Sequence, residues 1–241
     1  MLILKIVTYG NKDNEAILLL HPMFTSAAFF DFALDQLKGY YLIVPTYSGH
    51  YEETTYLSME EEEHTIDEFL KENGISRLKA LIGFSLGGNI GFHYFCKNQE
   101  KVEQVIIDSA PIFKFPSVVK YFFFRKYKKC LLNIKAHPEN TVEELDKCFH
   151  GMGEAQQYVA PSVTIESLRN LIESCYNLET PKLSILSQKK ITFVYGTKDI
   201  ARLCLPRIRK YKNSRFVEID LMGHCGYFRE DAEEYVKNLI E

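Results

Sequence analysis

Several things the 241-residue chain lacks narrow what it can be. Glycine (13) and proline (8) are sparse, no segment repeats and no flexible linker interrupts the chain, so disordered and fibrous classes are excluded. The six cysteines, at positions 96, 130, 148, 175, 204 and 225, form no CxxC pair of the zinc or redox type and read as free thiols. The seven histidines include no HExxH, and no metal site is expected. The uncharged stretch Ala16–Phe30 is broken by His21-Pro22 and falls short of the roughly 18–20 apolar residues of a membrane span. The start, Met1-Leu2-Ile3-Leu4-Lys5, has no basic n-region, long apolar core or cleavage site, so a soluble cytoplasmic protein is expected. There is no basic surplus either. With 29 Lys and Arg against 32 Asp and Glu the net charge is −3, which argues against nucleic acid as the main partner.

What is present suits one globular domain over residues 1–241, with 46% apolar and 25% charged residues. Short apolar runs alternate with longer amphipathic stretches. Leu2–Thr8 and Ala16–Leu20, separated by the turn-forming Gly10–Asn14, read as paired strands. Ser26–Leu37 and Ser58–Asn73 read as helices, the second with Ser58 as N-cap and Gly74 as its stop; Tyr41–Val44 reads as a strand ended by Pro45. Strand Ala80–Gly83, helix Leu86–Asn98 and strand Gln104–Asp108 follow; later come strand Ile191–Tyr195, helix Cys204–Lys212, strand Phe216–Ile219 and helix Gly226–Ile240. Such alternation predicts an α/β fold whose mostly parallel central sheet is flanked by helices, with its chemistry on loops beyond the carboxyl ends of the strands.

The segment at about 111–188 is too long for a simple connection and its pattern is helical, over Pro116–Lys129, Thr141–Phe149 and Thr164–Cys175. Thr141-Val-Glu-Glu144 has the capping-box form. A helical insertion at this end of the sheet is expected to cap the active site.

The sharpest motif is Gly83-Phe84-Ser85-Leu86-Gly87, followed by Gly88, where an apolar strand turns into a helix. A serine on such a turn sits in a strained conformation with its hydroxyl above the sheet edge, and the residues two positions either side, Gly83 and Gly87, approach too closely for side chains. The helix N-terminus adds positive potential where an oxyanion would form. A serine hydroxyl needs a base, and His224, in Met222-Gly223-His224-Cys225-Gly226, follows a strand and precedes the last helix. Asp199, in Phe193-Val194-Tyr195-Gly196-Thr197-Lys198-Asp199, is the candidate acid to orient it, which gives the order Ser85, Asp199, His224. Asp108, at the end of the preceding strand, is the rival acid. Asp220 more simply closes its own strand. An acyl-transfer site also needs two backbone N–H donors for the oxyanion. Leu86 supplies one and Met23, in Leu20-His21-Pro22-Met23-Phe24, the other, with Phe24 as the adjacent alternative; Pro22 has no N–H, and His21 reads as structural.

With these residues the chain resembles the α/β-hydrolase superfamily, in its lipase/esterase-like branch, over nearly its whole length. The resemblance rests on His21-Pro22-Met23 where the family usually has His-Gly-X, the Gly83–Gly88 elbow, Tyr195-Gly196-Thr197-Lys198-Asp199 and Gly223-His224. Pro22 departs from the pattern, and Tyr47-Ser48-Gly49-His50 lacks the acid, Pro and second Gly of the family's Asp-x-Pro-Gly-His-Gly segment. The resemblance implies an eight-stranded, mostly parallel sheet, here with a first antiparallel strand missing or merged, and no cofactor.

Two charged features remain. From Ile112 to Lys135 there are seven basic residues and no acidic one, with Phe113, Phe115, Tyr121, Phe122, Phe123, Phe124 and Tyr127 interleaved. The plain reading puts the aromatics against the pocket or core and the lysines in water; the sharper one is attraction to anionic partners, including peripheral contact with a membrane or lipid. Met59-Glu60-Glu61-Glu62-Glu63 reads as a solvated helix start. The expected activity is that of a serine hydrolase cleaving a small carboxylic ester through an acyl-enzyme. Thioesterase, amidase and carbon–carbon bond hydrolase would use the same residues, and a ligand sensor retaining the pocket is the alternative outside the enzymes.

Overall fold

The computed structural model describes residues 5–149 and 151–240. Residues 2–4 of the expected first strand, with the rest of the Met1–Leu4 start, lie outside the described residues. Strands β1 (Lys5–Tyr9), β2 (Ala16–Leu20), β3 (Tyr41–Thr46), β4 (Leu78–Phe84), β5 (Val102–Asp108), β6 (Ile191–Gly196) and β7 (Arg215–Ile219) form one seven-stranded sheet in the order β1-β3-β2-β4-β5-β6-β7. Only β1 runs antiparallel, against β3; the remaining pairs are parallel. Among the described residues the sheet thus has seven strands, one fewer than the eight the resemblance implies, with β1 as its antiparallel edge strand.

The expected pairing of the first two strands does not occur. Every residue of β2 is buried and both its edges are taken, by β3 and β4, whereas β1 is partly exposed and suits the sheet's rim. A residue string that is apolar on both faces belongs in the middle of a parallel sheet, even when a turn follows the preceding strand.

The helices are α1 (Met59–Glu72), α2 (Leu86–Lys97), α3 (Ser117–Ala136), α4 (Thr141–Phe149), α5 (Gly153–Gln156), α6 (Ile165–Tyr176), α7 (Ile185–Lys189), α8 (Leu205–Ile208), α9 (Gly226–Glu230) and α10 (Ala232–Leu239). Helices α1 and α2 and most of the segment between β5 and β6 share one buried cluster; residues 27–37, α9 and α10 share the other, which also takes in Met152 from that segment. Ser58 caps α1 as expected, accepting the Glu61 N–H at 3.3 Å, and Gly74 ends it at φ +70°.

Several expectations are corrected. Residues 27–33 and 35–37 form tight 3-10 turns instead of one α-helix. The expected helix Cys204–Lys212 shortens to a 3-10 turn at Ile200–Cys204 followed by α8, and the last helix breaks at Asp231, which caps α10 through the Glu234 N–H. Thr141 is not a cap: it is already helical and its hydroxyl donates to the Pro138 carbonyl, because a 3-10 turn feeds directly into α4. The acidic start of α1 is only half solvated. Glu62 and Glu63 fall on the buried stripe with Met59, Ile66 and Leu70. Glu63 meets His93 at 2.6 Å and Lys97 at 3.0 Å, while Glu62 accepts the Ser48 N–H at 3.2 Å.

Candidate active site

The turn from β4 into α2 places Ser85 at φ +53°, ψ −115°, a conformation that side chains other than glycine rarely adopt. It is held by the Ser85 N–H donating to the Asp108 carbonyl at 2.8 Å and by the Asn89 N–H donating to the Ser85 carbonyl at 3.1 Å. The flanking glycines are sterically required. A Cβ on Gly83 would run into the Gly87 carbonyl, and one on Gly87 into the Leu20 carbonyl at the end of β2. Phe24, Ser109 and Cys225, in loops that follow β2, β5 and β7, share the positive φ of Ser85. Backbone strain thus gathers at the carboxyl end of the sheet.

Loops after β6 and β7 bring Asp199 and His224 together. The Lys198 N–H donates to the Met222 carbonyl at 2.9 Å, and Asp220 closes β7 by accepting from the Thr197 hydroxyl and the Leu221 N–H. His224 Nδ1 lies 3.0 Å from Asp199 Oδ1, which also accepts the Ala201 N–H at 2.9 Å. With Nδ1–H donating to the carboxylate, Nε2 is the ring nitrogen left to accept a proton. Burial alone would raise the Asp199 carboxyl, but the His224 charge and these hydrogen bonds hold it below its ordinary value. Burial likewise works against a charged His224, and Asp199 more than offsets it, so His224 lies above the usual histidine value. Asp108 makes a different contact, accepting the Ser109 hydroxyl at 2.8 Å. Burial pushes its carboxyl up to about 7; the charge of Asp199 adds to the rise, against the Ser109 hydrogen bond.

Three donors fix the loop after β2. The Pro22 carbonyl accepts from His21 Nδ1 at 2.8 Å, the Thr25 hydroxyl at 2.8 Å and the Thr25 N–H at 3.4 Å. His21 Nε2 accepts the Tyr47 N–H at 3.3 Å, which leaves the proton on Nδ1. His21 is fully buried, and its desolvation, with His50 nearby, holds it well below the ordinary histidine value and neutral. In a trans peptide the N–H points opposite to the carbonyl. The Met23 N–H is thereby turned away from His21 and Thr25, and among the described residues it donates to no protein group. Leu86 opens α2, so its N–H also has no partner within the helix.

Ser85, His224, Asp199 and Met23 line one cavity of about 720 Å³. Much of its remaining wall comes from the segment between β5 and β6: Phe115, Phe123, Tyr127, Phe149 and Tyr176 are aromatic and Val119 and Met152 aliphatic. Phe123 stacks on Tyr176 at 4.5 Å, and the Tyr127 and Tyr176 hydroxyls meet at 3.0 Å. Not all the aromatics of α3 turn inward, however, since Tyr121 and Phe122 are exposed. Among the described residues no hydrogen bond joins Ser85 to His224; in unliganded enzymes such contacts often tighten only around substrate.

A family model for the alpha/beta hydrolase fold matches residues 15–136, a span that contains the elbow and the Met23 loop. The chain belongs to the α/β-hydrolase family. Solved structures agree on the fold of this α/β hydrolase. A carboxylesterase from the thaumarchaeon Nitrososphaera gargenis aligns with a TM-score of 0.77 at 18% identity, covering 96% of this chain and 91% of the other. An esterase from Thermogutta terrifontis gives 0.74 at 16% identity over 98% and 92% of the two chains. An enol-lactonase from Burkholderia xenovorans gives 0.75 at 14% identity over 98% and 95%. The comparison with curated proteins gives no match.

Two residues of this α/β hydrolase site have no signature in the sequence. Ser109 donates to Asp108 and accepts the Cys225 N–H at 2.8 Å, which ties the loop beside His224 to the end of β5. Gln156, at the end of α5 and buried, donates its amide to the Met23 carbonyl at 2.9 Å. Both act through long-range contacts, and each stands in a stretch with no periodic or motif signal.

Proposed function

We propose that the chain is a serine hydrolase cleaving small carboxylic esters with an apolar acyl part. The observation that supports this best is the His224–Asp199 hydrogen bond, formed in the same cavity as a serine on a strained strand-to-helix turn. In this reading Ser85 Oγ attacks the ester carbonyl while His224 Nε2 takes its proton. Asp199 keeps the imidazole in the Nδ1–H tautomer and stabilises the imidazolium. The tetrahedral oxyanion is bound by the Leu86 and Met23 N–H groups, each worth roughly 3–4 kcal/mol in the transition state. His224 then protonates the leaving alcohol, and water, activated by the same ring, hydrolyses the acyl-enzyme.

The choice of ester draws on the esterase neighbours, and the apolar acyl preference on the aromatic cavity wall. The test is hydrolysis of p-nitrophenyl esters from short to long acyl chains. Turnover is expected to fall by about 10⁴-fold or more in Ser85→Ala, and the preferred chain length would size the pocket. An unchanged rate in that variant, or no hydrolysis by the parent protein of any ester in the series, would overturn the reading.

A further inference from the structure

Helix α3 has apolar residues on two faces, and only one of them is buried. Val119, Phe123 and Tyr127 turn toward the cavity, and Cys130, Leu131 and Ile134 into the core. The opposite face exposes Val118 (73%), Tyr121 (60%) and Phe122 (64%), followed at helical spacing by Arg125, Lys128 and Lys129. The helix has six Lys or Arg and no Asp or Glu in 20 residues. Part of this charge is used internally, as where Lys120 meets Glu173 at 2.6 Å, but Lys128 and Lys129 join no ion pair among the described residues. A second exposed apolar pair lies on the 3-10 turn after β6. Ile200 (62%) and Leu203 (68%) both line the cavity and face solvent, beside the exposed Lys198, so the cavity opens there.

We propose that the outer face of α3, with the Ile200–Leu203 turn at the cavity opening, docks the protein on an anionic lipid surface. Large exposed apolar side chains framed by unpaired cations are what an interfacial helix presents: the apolar groups enter the acyl boundary and the cations meet lipid headgroups. A partner offering phosphates alone would leave Val118, Tyr121 and Phe122 unused. A second copy of the chain, joined face to face, would set the same cations against each other. None of the helices among the described residues is long and apolar enough to cross a membrane, so the contact lies in the interface plane. This goes beyond the proposed chemistry and does not depend on it.

Sedimentation with lipid vesicles tests the proposal, using the full chain with Ser85→Ala so that no lipid is consumed. Vesicles of phosphatidylcholine containing phosphatidylglycerol are expected to bind at least about tenfold more tightly than phosphatidylcholine alone, with the advantage shrinking as salt is added. On the same background, Val118→Ser/Phe122→Ser and Lys128→Glu/Lys129→Glu should each weaken binding about tenfold or more. Neither pair lines the cavity, so with Ser85 restored both variants should keep the parent's melting temperature and its rate on p-nitrophenyl acetate. Equal affinity for the two vesicle types, or binding that survives either double substitution, overturns the proposal. So does a concentration-dependent dimer that Val118→Ser/Phe122→Ser breaks while vesicles stay unbound, which would assign the face to a second copy.

Discussion

In the proposed reaction His224 takes the Ser85 proton only while its ring is neutral, so the charge balance around one imidazole sets the working pH. Burial disfavours the imidazolium, but the Asp199 carboxylate, through charge and hydrogen bond, and then the charge of Asp108 raise His224 above 6.5. A group raised in this way loses its proton later than a free histidine. The acid limb of kcat/KM is therefore expected to have its midpoint above 6.5. Asp199→Asn removes the largest favourable contribution, so the midpoint should move down and the plateau should fall by about 10⁴-fold. A pH–rate series on both proteins checks this, and an unmoved midpoint in Asp199→Asn would assign the orienting role elsewhere, with Asp108 next in line. At this scale the candidate residues were readable in the chain because each sits at a strand end within a short Gly-containing motif. Ser109 and Gln156 were not, because what they touch is 116 and 133 residues away in sequence.

Among the secondary elements, the sequence periodicity located most strands and the long helices, and it misplaced those whose form depends on neighbours. The first two strands do not pair because β2 is claimed on both edges. The 27–37 segment tightens into 3-10 turns where Phe29 and Phe30 pack against Phe84 beneath the sheet. The helical insertion between β5 and β6 was legible as such, but its reach to the proposed oxyanion loop was not. Phe24 stands at φ +63°, a strained conformation for a residue with a Cβ, and rotation of the Met23–Phe24 peptide would relieve it. The Gln156 amide on the Met23 carbonyl opposes that rotation, and the Phe24 ring is further held edge-to-face against Phe149 at 5.4 Å. Gln156→Leu should therefore loosen the loop and lower kcat by about tenfold, a fraction of the 10²–10³ lost when a whole oxyanion donor is removed. KM should change little. Affinity for a boronic acid, which forms a tetrahedral adduct on serine, should fall in step with kcat; if KM rises while kcat and the boronate affinity hold, Gln156 shapes the pocket instead of positioning the loop.

At the scale of the whole molecule, the net charge of −3 says nothing about which charges are buried. The pattern held a clue that the acidic run concealed: Glu62 and Glu63 stand three and four residues after Met59, on the stripe that continues to Ile66 and Leu70. Burial pushes the Glu62 carboxyl up to about 8, against the hydrogen bond from Ser48. The folded protein thus binds this proton more tightly than the unfolded chain, whose glutamate titrates near 4.5. Its contribution to stability is complete below 4.5 and is lost as pH rises to about 8. Two buried histidines act in the opposite sense at lower pH. His50 is lowered to about 4 and His21 well below 6.5, both mainly by desolvation, so they restore stability as pH rises toward 6.5. The downward slope should then emerge between 6.5 and about 8, with Asp108 adding to its lower part as it ionises near 7. Each pH unit of that slope is worth at most about 1.4 kcal/mol per group. Urea denaturation across this range should show the parent protein losing about 2 kcal/mol more than Glu62→Gln, whose side chain keeps an acceptor for the Ser48 N–H but cannot ionise. Parallel curves for the two proteins would mean that Glu62 is already charged in the fold, with its burial compensated by groups other than the Ser48 N–H.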